Sequence, residues 1–291
     1  GVFNYVTGPG STLGQALIEG PEVAGITFTG SFDVGMKIYR DFGAGRWVRP
    51  TILELGGKNP TIVTRHADLD AAAIGITRSA YGLQGQKCSA GSRVLIEEPV
   101  YDKLVARLVE LTEKMSIGDP TERANFLGPV INKGSYKDYQ GFVTELKEGG
   151  KILTGGRVLT EPPYDRGFFC APTLAEAPFE HKLWKQEMFV PITTVGKFND
   201  LETAMQIAND VDYGLTAGFY GAEEEVAWFF DHIECGVAYA NRPMGATTGA
   251  WPGFQPFGGW KGSGSSGKNA GGVHYLQLYM HEQIQNHVRK A

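Results

Sequence analysis

The sequence predicts an α/β protein built around a largely parallel sheet. Runs of apolar and β-branched residues alternate with stretches of helical periodicity along the 291 residues, an order typical of parallel α/β sheets. One such run, 25–29, passes through Gly30 and Ser31 directly into a predicted helix that ends near Phe42. The 40 glycines, about twice the usual share, indicate many tight turns between these elements.

The predicted elements follow one another closely along the chain. Strands are predicted at 2–6, 25–29, 51–54, 60–64, 93–97, 168–174, 193–198, 217–220 and 237–240. Besides the helix that ends near Phe42, helices are predicted at 13–18, 68–83, 101–115, 136–147, 201–211 and 223–233. In the helix at 101–115, Leu104, Leu108 and Leu111 recur at helical spacing, so this helix should pack one apolar face against its neighbours.

Composition excludes several classes of function. The formal net charge of −5 indicates no basic surface for nucleic acid, and no run reaches the ~18 apolar residues that a membrane-spanning helix needs. Cys88, Cys170 and Cys235 are odd in number and far apart, so neither a disulfide framework nor a metal site is predicted. This cysteine usage indicates a cytoplasmic protein, with the mitochondrial matrix left open.

Cys88 and Glu54 are the strongest candidates for chemistry. Cys88 stands in GQKCSAG at 85–91, and Glu54 begins ELGGK at 54–58. A thiolate can attack a carbonyl, and a nearby carboxylate can activate water. The alternative is a structural cysteine beside a surface glutamate, which Cys88 alone would favour because free cysteines are often buried. The pair in glycine-rich surroundings favours covalent acyl chemistry.

Three further segments suit ligand binding, and each has a plain structural alternative. Gly30 and Ser31 precede a predicted helix whose N-terminal amides suit a pyrophosphate; the alternative is a serine N-cap. Glu187 and Phe189 combine a carboxylate for a ribose diol with a ring for a flat heterocycle, or belong to a loop with one core aromatic residue. The segment QPFGGWKGSG at 255–264 either walls a pocket or forms a structural hairpin.

Taken together, these segments resemble the aldehyde dehydrogenase superfamily. The motifs FTGS, ELGGK, GQKC, E-x-F-x-P and PFGG-x-K-x-SG occur in the family's order and approximate spacing, beginning at Phe28, Glu54, Gly85, Glu187 and Pro256. The resemblance covers essentially the whole chain. A finer similarity, to 1-pyrroline-5-carboxylate (L-glutamate γ-semialdehyde) dehydrogenases, is carried by 241–250, Gln255 and 271–276.

The resemblance implies a role for each matching residue. Cys88 would be the nucleophile and Glu54 the general base of hydrolysis. The cofactor NAD would contact Gly30 and Ser31 at its pyrophosphate, Leu55 and Gly56 at its nicotinamide, and Glu187 and Phe189 at the adjoining ribose. The substrate would contact Ser89, Gly249 and Ala250 at its α-carboxylate and Phe257 at its aliphatic part. NADP remains open, because the adenosine-ribose contacts of the family precede the position of Gly1.

The resemblance also implies a domain organisation. Residues 1–56 correspond to the C-terminal part of a Rossmann-like NAD(P)-binding domain, 57–260 to an α/β catalytic domain, and 261–291 to a return segment with a strand-bearing oligomerisation tail. Family members carry a further N-terminal region that supplies cofactor-sheet strands and an oxyanion-hole asparagine. The expected partners are therefore that region of the same protein, a small aldehyde and further copies of the chain in a homo-oligomer.

The activity implied is oxidation of an aldehyde with NAD(P)⁺ through a thioester on Cys88. L-Glutamate γ-semialdehyde is the implied substrate, and another semialdehyde remains open. The alternative from a different class is a non-catalytic fragment or subunit whose role is assembly or ligand binding.

Overall fold

The computed structural model describes residues 1–242, 255–264 and 270–289. The α-helices are α1 (Gln15–Glu19), α2 (Phe32–Gly43), α3 (Leu69–Tyr81), α4 (Tyr101–Glu113), α5 (Lys133–Gly149), α6 (Leu201–Asn209) and α7 (Glu223–His232). The strands are β1 (Ile26–Thr29), β2 (Thr51–Glu54), β3 (Asn59–Val63), β4 (Gly91–Glu97), β5 (Lys151–Thr154), β6 (Val158–Leu159), β7 (Phe169–Cys170), β8 (Thr173–Glu176), β9 (Ile192–Phe198), β10 (Tyr213–Gly214), β11 (Thr216–Tyr220), β12 (Val237–Ala240) and β13 (Trp260–Lys261). Most predicted elements therefore exist close to their expected bounds, and the strand predicted at 168–174 is two strands, β7 and β8.

Seven strands form the main sheet, in the order β12–β11–β3–β4–β9–β8–β5. Neighbouring strands run parallel throughout, except that β5 and β8 pair antiparallel at one edge. The prediction of a largely parallel α/β sheet is confirmed.

Helices cover both faces of this sheet, as buried parallel strands require. Ile62 of β3 and Leu95 of β4 pack in one core cluster with residues of α5, α6 and α7. Their neighbours Val63, Val94 and Ile96 belong to a second cluster with α3 and α4. Because successive strand residues point to opposite faces, these strands need apolar side chains at consecutive positions.

The parallel pair β1–β2 forms a separate small sheet with α1 and α2 beside it. Its cluster of buried side chains consists of Ile18, Ile38 and Phe42. The N–H of Gly30, which follows β1, donates to the carbonyl of Glu54 at 3.1 Å. This bond extends the pairing of β1 and β2 and sets the beginning of α2 beside the end of β2.

One predicted strand is wrong. Residues 2–6 are exposed and form no strand, because no described strand lies beside them to share backbone hydrogen bonds. The tail, described from 270 to 289, forms a short 3₁₀ helix at Leu276–Tyr279 and no strand in that range. Within the described residues, the helices are too short or too polar to cross a membrane.

Candidate active site

The candidate residues gather where two sets of strand ends meet. Glu54 is the last residue of β2, at the carboxyl end of the small sheet. Cys88 lies shortly before β4 and Glu187 shortly before β9, so both stand at amino ends of main-sheet strands. Ligands of open parallel sheets usually bind outside the carboxyl ends. Here the small sheet follows that rule with the carboxyl end of β2, whereas the main sheet contributes the amino ends of its strands.

The glycine turn after Glu54 brings the thiol loop and the second carboxylate together. A Cβ on Gly57 would lie less than 3.0 Å from the carbonyl oxygen of Cys88, and one on Gly56 would come as close to the Glu187 carboxylate. The Gly57 N–H donates to Oε1 of Glu187 at 2.9 Å. Close approach of the Cys88 backbone therefore requires glycine at position 57, whereas a Cβ at position 56 would displace the end of the Glu187 side chain. The turn contacts both loops.

Glu54 has the electrostatics of a general base. Its side chain is half-buried, and its Oε2 is buried without a hydrogen-bond partner among the described residues. Burial raises the pKa of Glu54 from 4.5 to about 7, and a hydrogen bond from the Ala270 N–H opposes that rise. A carboxylate with this pKa is partly ionised near neutral pH and can accept a proton from water.

Cys88 is half-buried, and its surroundings favour the neutral thiol. Burial raises the thiol pKa most, and the charges of Glu187 and Glu54 raise it further. The backbone N–H groups of Ser89 and of Cys88 itself act in the opposite direction and lower the thiol pKa. Both carboxylates are therefore close enough to Cys88 to influence its ionisation, which groups the predicted nucleophile and the predicted base in one site.

Phe189 stands in a strained backbone conformation next to Glu187. Its φ of 55° lies in the left-handed region that residues other than glycine rarely adopt, and 45% of its surface is exposed. Such strain is typical of functional sites. Burial raises the pKa of Glu187, while the Gly57 N–H and the charge of Lys58 lower it.

Gly85 fixes the contact between the loop of Cys88 and the loop of Glu187. Its φ is +66°, and a Cβ there would lie 2.5 Å from the carbonyl oxygen of Val190. The two motifs GQKC and E-x-F-x-P therefore touch through backbone atoms. A side chain at 85 would separate them.

Gly30 and Ser31 stand at the start of α2, as predicted. Ser31 is exposed and occupies the N-cap position, but its hydroxyl makes no capping hydrogen bond. Ser31 is therefore the N-cap residue of the plain alternative in position, and its hydroxyl makes no bond to the helix. The N-terminal amides of this helix remain a suitable place for an anionic group.

The four predicted substrate residues are only partly described. Ser89 is buried beside Cys88, whereas Gly249 and Ala250 lie outside the described residues. Phe257 is half-buried, and its N–H donates to the carbonyl of Ala270 at 2.7 Å. Because Ala270 also donates to Glu54, Phe257 is tied to the base through a single residue.

Ser263 is a site residue to which the sequence reading assigned no role. Its hydroxyl donates to the carbonyl of Gly56 at 2.6 Å and accepts from the N–H of Gly214 at 3.1 Å. Its own carbonyl accepts from the N–H of Leu55 at 2.9 Å. The side chain is fully buried, so Ser263 holds the Glu54–Gly57 turn against the body. Its place inside the motif at 255–264 was the one available signal.

Lys58 is a second residue that the sequence reading did not single out. It is buried, and its Nζ has no hydrogen-bond partner among the described residues. Burial lowers the pKa of this amine well below its usual value, the charge of Arg93 lowers it further, and Glu187 opposes both. Lys58 therefore lies within electrostatic reach of Glu187 behind the glycine turn.

The groups present fit a dinucleotide. The twelve-residue α2 presents its N-terminus at Ser31, Gly56 leaves a space that a Cβ would fill beside Glu187, and Phe189 exposes its ring. These features match the needs of a pyrophosphate, a ribose diol and a flat ring. No group of three or more metal-binding side chains occurs in the part of the chain that the structure describes.

Comparison with known proteins adds a family. Residues 1–284 match the sequence profile of the aldehyde dehydrogenase family. The 1-pyrroline-5-carboxylate dehydrogenase of Geobacillus thermodenitrificans is 41% identical over 288 residues, which are 96% of this chain and 54% of that protein. The enzyme of the same name from Bacillus subtilis is 38% identical over 286 residues. The chain thus spans about half the length of the curated relatives it matches.

Solved structures give the same result. A 1-pyrroline-5-carboxylate dehydrogenase from Thermus with bound NAD superposes with a TM-score of 0.87 at 37% identity, covering 94% of this chain and 52% of that one. A betaine aldehyde dehydrogenase from Staphylococcus aureus in complex with NAD⁺ superposes with a TM-score of 0.88 at 28% identity, covering 94% and 53% of the respective chains.

Proposed function

The chain belongs to the aldehyde dehydrogenase family, and from its site we propose that the protein oxidises an aldehyde to the acid, with NAD as the hydride acceptor. L-Glutamate γ-semialdehyde is the proposed substrate, because the relatives from Geobacillus thermodenitrificans and Bacillus subtilis are 1-pyrroline-5-carboxylate dehydrogenases. The observation that carries the proposal is the pairing of Cys88 with Glu54, a carboxyl group whose pKa is raised to about 7.

Cys88 begins the reaction as the nucleophile. Because burial and two carboxylates favour its neutral form, the thiol must lose its proton before attack. The sulfur then bonds to the aldehyde carbon, and the carbonyl electron pair moves to oxygen to give a thiohemiacetal. Because Cys88 is half-buried, little water surrounds the sulfur, which protects this adduct from side reactions.

Oxidation follows on the same carbon. When bound, the nicotinamide supplies a hydride acceptor for the hydrogen of the thiohemiacetal carbon. The carbonyl re-forms as that hydrogen leaves with its electron pair, so Cys88 then carries a thioester. Ser31 and the α2 N-terminus would hold the pyrophosphate, and Glu187 and Phe189 would hold the nicotinamide ribose.

Glu54 completes the cycle by activating water. Its carboxylate takes a proton from water, the hydroxide oxygen bonds to the acyl carbon, and the carbon–sulfur bond breaks. The acid leaves and the Cys88 thiolate is restored. The Oε2 of Glu54 has no protein hydrogen-bond partner among the described residues, so no protein donor competes with water for this oxygen.

The division of labour proposed for the chain follows from these roles. Residues 1–56 would bind the cofactor, 57–260 would hold the nucleophile and the substrate, and 261–291 would return to the cofactor side. Substrate selection would rest on Ser89 and Phe257 together with Gly249 and Ala250.

Two substitutions test the chemistry. Cys88→Ala should abolish NADH formation from glutamate γ-semialdehyde while NAD binding persists, and Cys235→Ala should leave both unchanged because Cys235 lies outside the site. Glu54→Gln should retain a rapid burst of NADH and slow the steady state by about 10²–10⁴-fold, the usual contribution of a general base. Normal steady-state turnover in either site variant would overturn the assignment, and equal activity on simple aliphatic aldehydes would overturn the substrate.

One observation favours a second candidate function. Val2, Phe3 and Tyr5 are almost fully exposed in the small unit that would bind the cofactor, which suits a chain that acts in assembly or ligand binding without turnover. A calorimetric titration of the 291-residue chain with NAD separates the two. Saturable binding favours the enzyme, and the absence of binding favours the non-catalytic role.

A further inference from the structure

Asn59, the first residue of β3, makes contact with both ends of the nucleophile loop. Its Nδ2 donates to the carbonyl oxygen of Cys88 at 2.7 Å and to that of Ala90 at 2.8 Å. Its Oδ1 accepts from the backbone N–H of Thr216 at 3.0 Å. The side chain is buried, and the Thr216 N–H fixes which end of the amide is the donor. Both N–H bonds of the Asn59 amide therefore donate to carbonyls of the Cys88 loop.

The bond to the Cys88 carbonyl has a geometric consequence for the next N–H. A trans peptide unit is planar, so its C=O and N–H point in opposite directions. With the Cys88 carbonyl turned toward Asn59, the Ser89 N–H of the same unit is turned away from Asn59. The influence of that N–H lowers the pKa of the Cys88 thiol. Asn59 thus acts on the thiol through the orientation of a single peptide plane.

We propose that Asn59 is a positioning residue for the Cys88 nucleophile: it holds the Cys88–Ser89 peptide so that the Ser89 N–H faces the sulfur. The inference rests on the proposed function only in treating Cys88 as the nucleophile. The hydrogen-bond arrangement itself is independent of any substrate.

The other groups around the sulfur act on its ionisation differently from the Ser89 N–H, which lowers the pKa of the thiol. Glu187 and Glu54 carry negative charge, and both raise the pKa of Cys88. Lys87 is adjacent in sequence and within electrostatic reach of Cys88, whose charge raises the pKa of the Lys87 amine. Burial outweighs that effect and lowers the pKa of the amine to about 8, and its Nζ donates to the carbonyl of Ser79 at 3.4 Å. Backbone N–H groups are the contacts that oppose burial and the two carboxylates, so their orientation should control the thiolate fraction.

The test is the pH dependence of Cys88 alkylation by iodoacetamide in the 291-residue chain, with the modified peptide identified by mass spectrometry. Peptide mapping separates Cys88 from Cys170 and Cys235. Asn59→Ala removes the donors without adding charge. We expect the midpoint of the alkylation profile to rise by about one pH unit, which corresponds to an approximately tenfold slower reaction at pH 7.5.

Asn209→Ala is the matched control. Asn209 also connects two backbone groups, donating to the His232 carbonyl at 2.9 Å and accepting from the Glu234 N–H at 3.0 Å, but it does so away from Cys88. Because these two bonds are exposed, its variant should lose less stability in urea than Asn59→Ala and keep the midpoint of the parent chain. If Asn59→Ala does not fold, Asn59→Ser, whose hydroxyl can donate to one carbonyl, should fold and show a smaller rise.

Two results would overturn the proposal. One is an unchanged midpoint in a folded Asn59 variant, and the other is an equal shift in Asn209→Ala. Because alkylation needs neither aldehyde nor cofactor, failure of aldehyde oxidation alone would leave the shift intact and would count against the proposed function instead.

Discussion

The main sheet and the small sheet differ in how they are held together. The main sheet lies between two large apolar clusters, one on each face. The small unit of β1, β2, α1 and α2 has a cluster of three buried side chains, while Leu17, Val34 and Tyr39 on its helices are exposed. Apolar burial therefore stabilises the main sheet and its helices. Polar contacts must contribute a larger share of the stability of the small unit. The site therefore joins an extensively packed region to a region with few buried apolar side chains.

One arginine in each region makes the comparison concrete. Arg93, in β4, is fully buried and donates to three carbonyls, those of Lys58 at 2.9 Å, Ile207 at 3.1 Å and Ala208 at 2.8 Å. Arg49 is partly exposed and donates to four carbonyls, those of Gly20 at 3.0 Å, Val23 at 3.1 Å, Ile18 at 3.4 Å and Phe42 at 3.3 Å. Each reaches carbonyls near a helix end, where no intrahelical partner exists. These are Ile207 and Ala208 of α6 for Arg93, and Ile18 of α1 and Phe42 of α2 for Arg49. The burial of the two arginines nevertheless differs.

The largest effect should come from Arg93→Met. The change leaves three carbonyls of the body without a donor, at about 1–3 kcal/mol for each buried group, so we expect a loss of roughly 3–5 kcal/mol after partial relaxation. Urea unfolding followed by the fluorescence of the buried Trp184 measures it. Arg93→Lys should recover only part of the loss, because an ammonium cannot reach three carbonyls in the geometry of a guanidinium. A loss below about 1 kcal/mol would contradict the role assigned to burial here.

A second, smaller effect is expected at the seam between the regions. Gly57→Ala places a Cβ against the Cys88 carbonyl and 2.8 Å from Oδ1 of Asn59. Overpacking of this kind costs about 1–3 kcal/mol, and the backbone of the nucleophile loop must move to relieve it. We expect the alkylation rate of Cys88 to change together with stability, which mass spectrometry and urea unfolding measure on one sample.

Gly141→Ala provides the control for this change. Gly141 lies inside α5, and a Cβ there meets nothing within 4 Å. Alanine should therefore stabilise the chain by about 0.5–1 kcal/mol through helix propensity and leave Cys88 alkylation unaltered. Equal behaviour of the two alanine variants would show that the seam is not tightly packed.

Much of the body could be predicted from the sequence, because its signals are local. Alternating strand and helix periods gave β3, β4 and α4 within a few residues, and the glycine-rich motifs identified Cys88 and Glu54 individually. The strand at 2–6 failed because a strand is defined by its neighbour, which no local pattern supplies. Within the small unit the sequence was as informative as in the body, because β1, β2 and the end of α2 lie within one residue of their predicted bounds.

The contacts that assemble the site could not be predicted, because they join residues far apart in the chain. Ser263 reaches Gly56 across 207 positions, and Arg93 reaches Ala208 across 115. Asn59 is recognisable only once the Cys88 loop is placed beside it. Each of these side chains is an ordinary polar residue in sequence, and its role depends on which backbone carbonyl lies opposite.

The smallest effect, and the sharpest test of the comparison, should come from Arg49→Met. Its four carbonyl partners belong to the small unit, and the guanidinium also stacks over the Phe42 ring at 3.6 Å. Because Arg49 is partly exposed, water can replace much of the lost bonding, so we expect a local loss of about 1 kcal/mol. Hydrogen exchange of α1 and α2 peptides should accelerate about fivefold, while exchange in β3 and β4 stays unchanged.

The exposed Arg40 of α2 supplies the control for that measurement, since Arg40→Met removes the same charge from the same small unit. It should leave exchange in α1 and α2 close to that of the parent chain. If Arg49→Met instead accelerated exchange in β3 and β4 as strongly as in α2, the two regions would unfold as one cooperative unit. The main sheet would then stabilise the small unit directly, through the glycine turn at Gly56 and Gly57 and through the Ser263 hydrogen bonds that hold this turn to Gly214.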